Sequence, residues 1–521
     1  GFMKQPLTSP LSVEDLQKEV PQIFIEDFTE LTDFSNLAWS LAYSHIKTCH
    51  GAPQSPFMDE AFAPDKIWIW DTCFMSLYCK YAPHIFPGVE SLRNFYVPMC
   101  DNVETPLNVH IPDNPPLFAW AEWENYRISG NKEHLDDVFK NHRYPQKMFD
   151  VYESFKYGDK PSYMTSAYPI QWQKTIMGYH WSGGRCGMDN TPRGDFSREI
   201  YDNDPAYQAI LFIDAAAQQA LAARIIFEVT GEERFKKEFQ RLANLINTCY
   251  WDEEDGCYYD ISAEAPYKRI KVMTPASFWP LLAGVASQEQ AERMAEHLTN
   301  PEELGGMVPF VSVARNSKHF CPPGEYWRGG VWLPTAYMCV KALERYGLNE
   351  TADKLSEDLV MHMFKTWKEF EPHTIWEAYS PTQCEPANNK HVTQRPYSKP
   401  DFCGWSALGP INLVIENMLG IHADGVTNTV SWRIHRKCKH GVENLRFGNT
   451  KVSLCFENSN ISIKTDGAFT LKVPSGEFKF SDAGEYKLEH SHPIGKEQVD
   501  GSGCNLYFEQ KTRSIHETIK A

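Results

Sequence analysis

For most of its length the chain places apolar residues three and four positions apart, the spacing that lines one face of a helix. From about Asp33, Leu37, Leu41 and Ile46 fall near one face, and further runs cover Phe74–Tyr81 and Leu92–Met99. Another starts after Pro115-Pro116, at Leu117, and stops at Gly130; a fifth extends from about His134 to Phe155. Asp204-Pro205 reads as an N-cap followed by a first-turn proline, opening a run through Ile210, Leu211, Ala217, Leu221 and Ile225 that ends at Gly231. Phe235, Phe239, Leu242, Ile246 and Cys249 follow, so a tight glycine turn joins the two as an αα-hairpin. The grammar repeats near 274–299, at 332–347 and 351–368 around Gly347, and over Trp405–Met418 before Gly420. About ten to twelve helices in consecutive hairpins predict an (α/α)6 toroid over 31–423, its functional loops gathered at one end. A superhelical array is the rival, and no fixed-period repeat supports it.

Past about 424 the pattern changes to alternation. Val452, Leu454 and Phe456, then Ile461 and Ile463, then Phe469, Leu471 and Val473 are separated by turn signals such as Gly448-Asn449 and Asp466-Gly467. This predicts a small antiparallel, sandwich-like β domain over 424–521. Residues 1–30, polar and dotted with proline, read as a surface lead-in.

Composition narrows the function. The chain has 521 residues, 42% hydrophobic, with a formal charge of −17 and no long basic block, which argues against nucleic acid and anionic membranes as partners. No apolar run reaches the ~20 residues of a membrane-spanning helix. The 14 cysteines form no CxxC pair and no zinc-like spacing, so they read as small buried hydrophobes; no metal or organic cofactor is expected. Fifteen tryptophans suit a core, and they also suit flat apolar sugar faces. The opening Gly-Phe-Met reads as a cleavage scar, giving a lean towards the periplasm or secretion. Oligomeric state is not readable.

Residues 157–200 are rich in Gly, Pro, Trp and Tyr without clear period, too long for an idle loop. Within them Gly183–Arg193 (GGRCGMDNTPR) sets one carboxylate, Asp189, among glycines and arginines. Three other segments pair charge with aromatic rings at helix ends: Trp70-Asp71-Thr72, Tyr326–Trp332 (YWRGGVW) and Thr374–Pro381 (TIWEAYSP). A toroid brings such loop ends together. Hydrolysis of a glycoside needs two carboxyl groups flanking the scissile bond, one protonated and one ionised; in inverting enzymes they stand ~6.5–9.5 Å apart. Asp189 and Glu377 are the candidate pair.

These segments, in this order, resemble the inverting (α/α)6 glycosidases: trehalases, the processing α-glucosidase I family and mannosylglycerate hydrolases. Ser182–Arg193 resembles their general-acid run, and Trp376-Glu377-Ala378-Tyr379-Ser380-Pro381 their general-base stretch. Tyr326–Trp332 resembles YWRGPVW, with Gly330 where the pattern prefers proline. Asp401–Ser406, containing Gly404-Trp405, and Trp68–Phe74 resemble two further motifs, so the likeness spans about 65–420. It implies that Asp189 is the general acid and Glu377 the general base. It further implies that Asp71, Arg193 and Arg328 contact sugar hydroxyls or tune the acid, and that Trp70, Trp181, Trp327, Tyr379 and Trp405 line the pocket. Asp71 reads alternatively as a helix N-cap, Arg328 as an ion-pair partner, Glu385 as a fallback base and Glu122 as structural. The implied function is an inverting exo-glycosidase acting on a small α-linked glucoside or mannoside. A sugar epimerase or lyase using His110, His180 or His373 on the same frame, or a non-catalytic sugar-binding protein, are the alternatives.

Overall fold

The structure, a computed structural model, describes residues 4–60, 62–109, 114–164, 168–181, 183–195, 209–389 and 395–490. Its helical body contains, in chain order, α1 (Val13–Glu19), α2 (Leu31–Ser44), α3 (Ile69–Cys79), α4 (Arg93–Asp101), α5 (Phe118–Ser129) and α6 (Tyr144–Ser154). There follow α7 (Ile213–Thr230), α8 (Glu233–Leu245), α9 (Trp279–Leu282), α10 (Gln288–Thr299), α11 (Leu333–Arg345) and α12 (Asn349–Glu369). The last helix, Gly409–Met418, is wound in π fashion.

Burial separates two kinds of helix. Every residue of α3, of α11 and of the last helix is buried, so these lie inside. Helix α8 buries only Phe235, Phe239, Leu242 and Ala243, the stripe its spacing predicts, and faces water with the rest. The inner helices touch in a closed cycle. Helix α3 packs on α5, α5 on α7, α7 on α9, α9 on α11, α11 on the last helix, and the last helix on α3 again. Helices α2, α4, α6, α8, α10 and α12 alternate with them along the chain. Local signals fix the joints. Gly231 takes φ +70° and its N–H closes the last turn of α7 on Phe227 O, while Ser287 and Gln290 form a capping box on α10.

Strand β1 (Gln22–Ile25) joins the C-terminal β2 (Ile421–Asp424), β3 (Thr429–Trp432), β4 (His440–Phe447), β5 (Thr450–Glu457), β6 (Asn460–Thr465), β7 (Phe469–Val473), β8 (Gly476–Phe480) and β9 (Gly484–Glu489). They form two sheets, of order β2-β3-β7-β8 and β1-β4-β5-β6-β9. Val442 pairs with Leu454 and Leu454 with Ile463, so the alternating apolar residues share one face, and Phe447 meets Phe469 across the sheets. All neighbours are antiparallel except β3 and β7.

Several expectations need correction. Residues before 30 are not a surface lead-in: Leu16, Val20, Ile23 and Ile25 are buried, and β1 pairs with β4. The run from His134 to Phe155 is broken, because Arg143 turns left-handed at φ +56° before α6 starts. Ile210 and Leu211 form a short strand rather than helix, and α7 starts at Ile213. The Asp204-Pro205 start and residues 491–521 of the expected β domain lie outside the described residues.

Candidate active site

Most of the singled-out loops open onto the N-terminal ends of inner helices. Trp70 and Asp71 lie in the first turn of α3, whose N-cap position is Trp68, so Asp71 does not cap the helix. Tyr326–Trp332 leads into α11, and Trp405 into the turn before the last helix. Glu377 follows the outer helix α12 and is carried inward by paired backbone hydrogen bonds between Tyr379 and Val331 (2.8 and 2.9 Å).

Two asparagines and several backbone groups lock these loops together. Asn114 accepts from the Trp70 amide (2.9 Å) and donates to Arg185 O (3.0 Å), joining α3 to the acid loop. Asn190 donates to Glu325 O (2.9 Å) and accepts from the Trp327 amide (2.7 Å). Gly187 lies against the Trp70 ring, where a Cβ would sit 2.6 Å from ring carbons. Gly330, the departure from the proline pattern, donates its N–H to Gly324 O, a bond proline cannot make. Trp405 Nε1 donates to Glu377 O (3.0 Å) and Ser406 Oγ to Trp376 O (2.6 Å).

The two candidate catalytic carboxyls have contrasting surroundings. Glu377 is buried; its Oε2 accepts from the Tyr326 hydroxyl (2.7 Å) and its Oε1 from the Lys399 amide (3.2 Å). Burial raises its pKa, and these two donors together with the Lys399 and Arg395 charges oppose the rise. Asp189 is accessible to solvent, yet protein surrounds its carboxyl closely enough to strip much of its hydration. No described residue donates a hydrogen bond to that carboxyl. Desolvation first, and then the Glu377 charge, push Asp189 up to about 7, with Arg185 working against both. Asp71, buried and acted on by the Asp189 and Glu377 charges, is held well above the usual carboxylate range by desolvation and that repulsion. Behind it Glu60 is fully buried with neither oxygen hydrogen-bonded, and desolvation followed by the Asp59 and Asp71 charges raises it as well.

The structure reassigns other residues. Arg193 is not a sugar-binding group: its Nε, Nη1 and Nη2 are spent on Asp214 and Asp260 (2.6–2.9 Å) in a buried cluster. Asp260 also caps the Ile213 amide, so Arg193 anchors the acid loop to the start of α7. Trp181 is wholly buried against Trp172 and Phe212, and Tyr379 is wholly buried with its hydroxyl accepting from the Trp376 amide, so both pack inside the protein. Trp327 is 1% exposed and stacks flat on Trp332 at 4.0 Å, so it stiffens the loop from within. Arg328 makes a two-pronged ion pair with Asp195 (2.7 and 2.9 Å). Trp70 and Trp405 keep small exposed areas. His373 lies on an exposed turn bonded to Trp367 O, and His110 and Ser182 lie outside the described residues. Glu122 holds Tyr96 and His134, a structural role. Among the described residues no group of His, Cys, Asp and Glu has metal-binding arrangement, and no helix is long and apolar enough to cross a membrane.

Sequence reasoning missed Tyr326 as the Glu377 partner, the two asparagine ties, Lys399 and Glu60. Tyr326 and Asn190 carried a signal, the one opening the YWRGGVW segment and the other standing directly after Asp189; the others contact the site only through the fold.

Residues 81–398 match the family described as the mannosylglycerate hydrolase MGH1-like glycoside hydrolase domain. The chain belongs to this family. An uncharacterised protein of Borreliella burgdorferi is 26% identical over 352 residues, covering 65% of this chain and 66% of that one. The mannosyl-oligosaccharide glucosidase of Saccharomyces cerevisiae is 24% identical over 274 residues, covering 46% of this chain and 30% of the enzyme. This MGH1-like chain thus spans less than two thirds of the length of the curated relatives it matches. Among solved structures, the GH63 mannosylglycerate hydrolase of Thermus thermophilus in complex with Tris superposes with a TM-score of 0.52 at 18% identity, over 73% of this chain and 99% of that one. At that identity the likeness is one of fold.

Proposed function

We propose that this MGH1-like domain is an inverting exo-glycosidase on an (α/α)6 toroid, hydrolysing a small α-linked glucoside or mannoside. The closed cycle of inner helices, with an outer helix between successive members, supports the architecture. One observation carries the chemistry: two carboxyls act on one another, one without donors and raised to about 7, the other held by two donors. Asp189 then keeps a proton near neutral pH and delivers it to the glycosidic oxygen. Glu377, stabilised as a carboxylate by Tyr326 and the Lys399 amide, takes a proton from the water attacking the anomeric carbon from the opposite side. Asp71 hydrogen-bonds hydroxyls of the sugar, and Trp70 and Trp405 shape its pocket. Arg185, whose charge acts on Asp189 and which lies 4.7 Å above the Tyr168 ring, is the group we assign to the leaving-group side.

The test is product analysis on trehalose, other neutral α-glucobioses and mannosylglycerate. Proton NMR during the first turnovers should show β-anomeric sugar appearing from an α-linked substrate. On trehalose, whose leaving glucose keeps its α configuration, inversion gives α- and β-glucose together. The α-anomer alone in the first turnovers would replace inversion by retention, and failure on the whole panel would remove the hydrolase reading. Turnover confined to mannosylglycerate would mark Arg185 as binding an acidic leaving group.

A further inference from the structure

A second cleft opens at the other end of α3 and α5. It encloses about 720 Å³ between the helical body and the β domain, a volume in the range of small-molecule sites. Its walls include Lys80, Glu90, Asn125, Tyr126 and Asn131 from the body and Asn428 from the turn before β3. Lys80 and Asn125 are more than nine-tenths buried. The Lys80 ammonium makes no hydrogen bond among the described residues, and its nearest carboxylate oxygen, Glu124 Oε2, is 4.0 Å away, beyond hydrogen-bond reach. The Lys80 charge is balanced from within the body, by Glu124, by Glu416 and by the Tyr81 ring 5.5 Å away, while its N–H donors stay without a hydrogen bond among the described residues and are open to a neutral acceptor.

Charge decides what kind of acceptor. The C-terminal ends of α3 and α5 meet this cleft at Lys80 and Gly130, and helix C-termini disfavour an anion, as does Glu90. Lys80, Lys132 and His134 disfavour a cation. His134 counts as charged: burial opposes its protonation, but the hydrogen bond and charge of Glu122 push it up to about 9. Four asparagines, Asn125, Asn131, Asn428 and Asn449, and the Tyr126 ring complete the lining. Asn125 Nδ2 donates to Ser76 Oγ and Ala121 O, Asn131 Oδ1 caps the His134 amide and Asn428 Nδ2 donates to Ala468 O, so Asn125 Oδ1 and Asn131 Nδ2 are the amide atoms turned to a ligand. We propose that this cleft is a second carbohydrate site, taking a neutral di- or trisaccharide whose hydroxyls accept from Lys80 and bridge the amides of Asn125 and Asn131. It lies across the body from Asp189 and Glu377, so a sugar held there is retained on the enzyme without being cleaved.

The test uses the full chain carrying Asp189→Asn, titrated calorimetrically with maltotriose and with an α-linked mannotriose, and crystals soaked in whichever binds. Two molecules per chain are expected, one of them against Lys80 and Tyr126. Tyr126→Ala and Asn131→Ala, at the rim, should weaken that second event about tenfold or more and leave the first unchanged, as expected for a lost contact worth about 1.4 kcal/mol. Lys80→Met should abolish it; the rim variants keep the test valid if that buried change harms folding. In the otherwise wild-type chain the rim variants should keep kcat on a small substrate. A single site in every titration, or a second site indifferent to the rim variants, would overturn the proposal. Because the readout is binding, a failure of hydrolysis leaves it standing, and its own failure leaves hydrolysis untouched.

Discussion

The two ends of the helical ring carry carboxylates that both lose hydration to the surrounding protein, with opposite behaviour. At the end formed by the C-terminal halves of α3, α11 and the last helix, Glu416 accepts from Tyr81 (2.9 Å) and Tyr337 (2.8 Å) and pairs with Lys341 (2.6 Å). Lys341 also bonds both oxygens of Glu344 (3.0 Å each), and Asn417 donates to the same group (2.7 Å). Burial works to raise Glu416, yet Lys341, Lys80 and His422 hold it down to about 2, and Glu344 is held low in the same way. At the other end Asp71 and Asp189 have no cation bonded to them among the described residues, and burial with mutual repulsion carries them upward. Desolvation acts at both ends; the partner decides the sign. One end is tied by ion pairs and hydrogen bonds between body and β domain, while the other holds carboxyls without a bonded cation among the described residues, which the proposed reaction would use.

The comparison breaks most sharply at the proposed catalytic pair. Asp189→Asn and Glu377→Gln should each lower kcat by about 10²–10⁴-fold, the usual worth of a general acid or base, with the fold unchanged by circular dichroism. Wild-type activity retained in either variant would remove that residue from its role. At the opposite end Lys341→Met strands two buried glutamates, so stability measured in urea should drop by about 3–5 kcal/mol while KM barely moves. Tyr326→Phe takes one donor from Glu377 and should raise the lower pH limb of kcat, with about a tenfold loss of rate. Smallest is the effect on stability against pH. Glu416, lowered on folding, contributes stability present above its ordinary value near 4.3 and lost as pH falls towards about 2. Asp189, raised on folding, works the other way, its contribution fading as pH climbs from about 4 to about 7. Asp189→Asn should therefore raise the thermal midpoint at pH 8 and leave it unchanged at pH 4.

The helical body and the β domain were legible because their apolar periods are local: the α8 stripe and the β5–β6 alternation need no knowledge of the fold. The candidate carboxyls were legible because Gly, Trp and Pro crowd around them in stretches that suit no helix or strand. The roles of Arg193 and Trp181 were not. An arginine reads identically in sequence whether it meets a sugar or Asp214 and Asp260, and those acids stand 21 and 67 residues away. The contribution of β1 to the C-terminal sheet was hidden for the same reason, since its partner β4 lies at the far end of the chain. Glu60 left no mark, being one acid in a plain loop whose neighbours are supplied by α3.

The central claim is that Asp189 carries a proton near neutrality because it is enclosed and faces Glu377. Carbon-detected NMR of selectively labelled aspartate carboxyls, in the wild type and in Glu377→Gln, tests it directly. The account predicts a titration midpoint near 7 for Asp189 in the wild type and a lower one in the variant, where a repelling charge is gone. A midpoint in the ordinary carboxylate range, or one indifferent to Glu377→Gln, would contradict it.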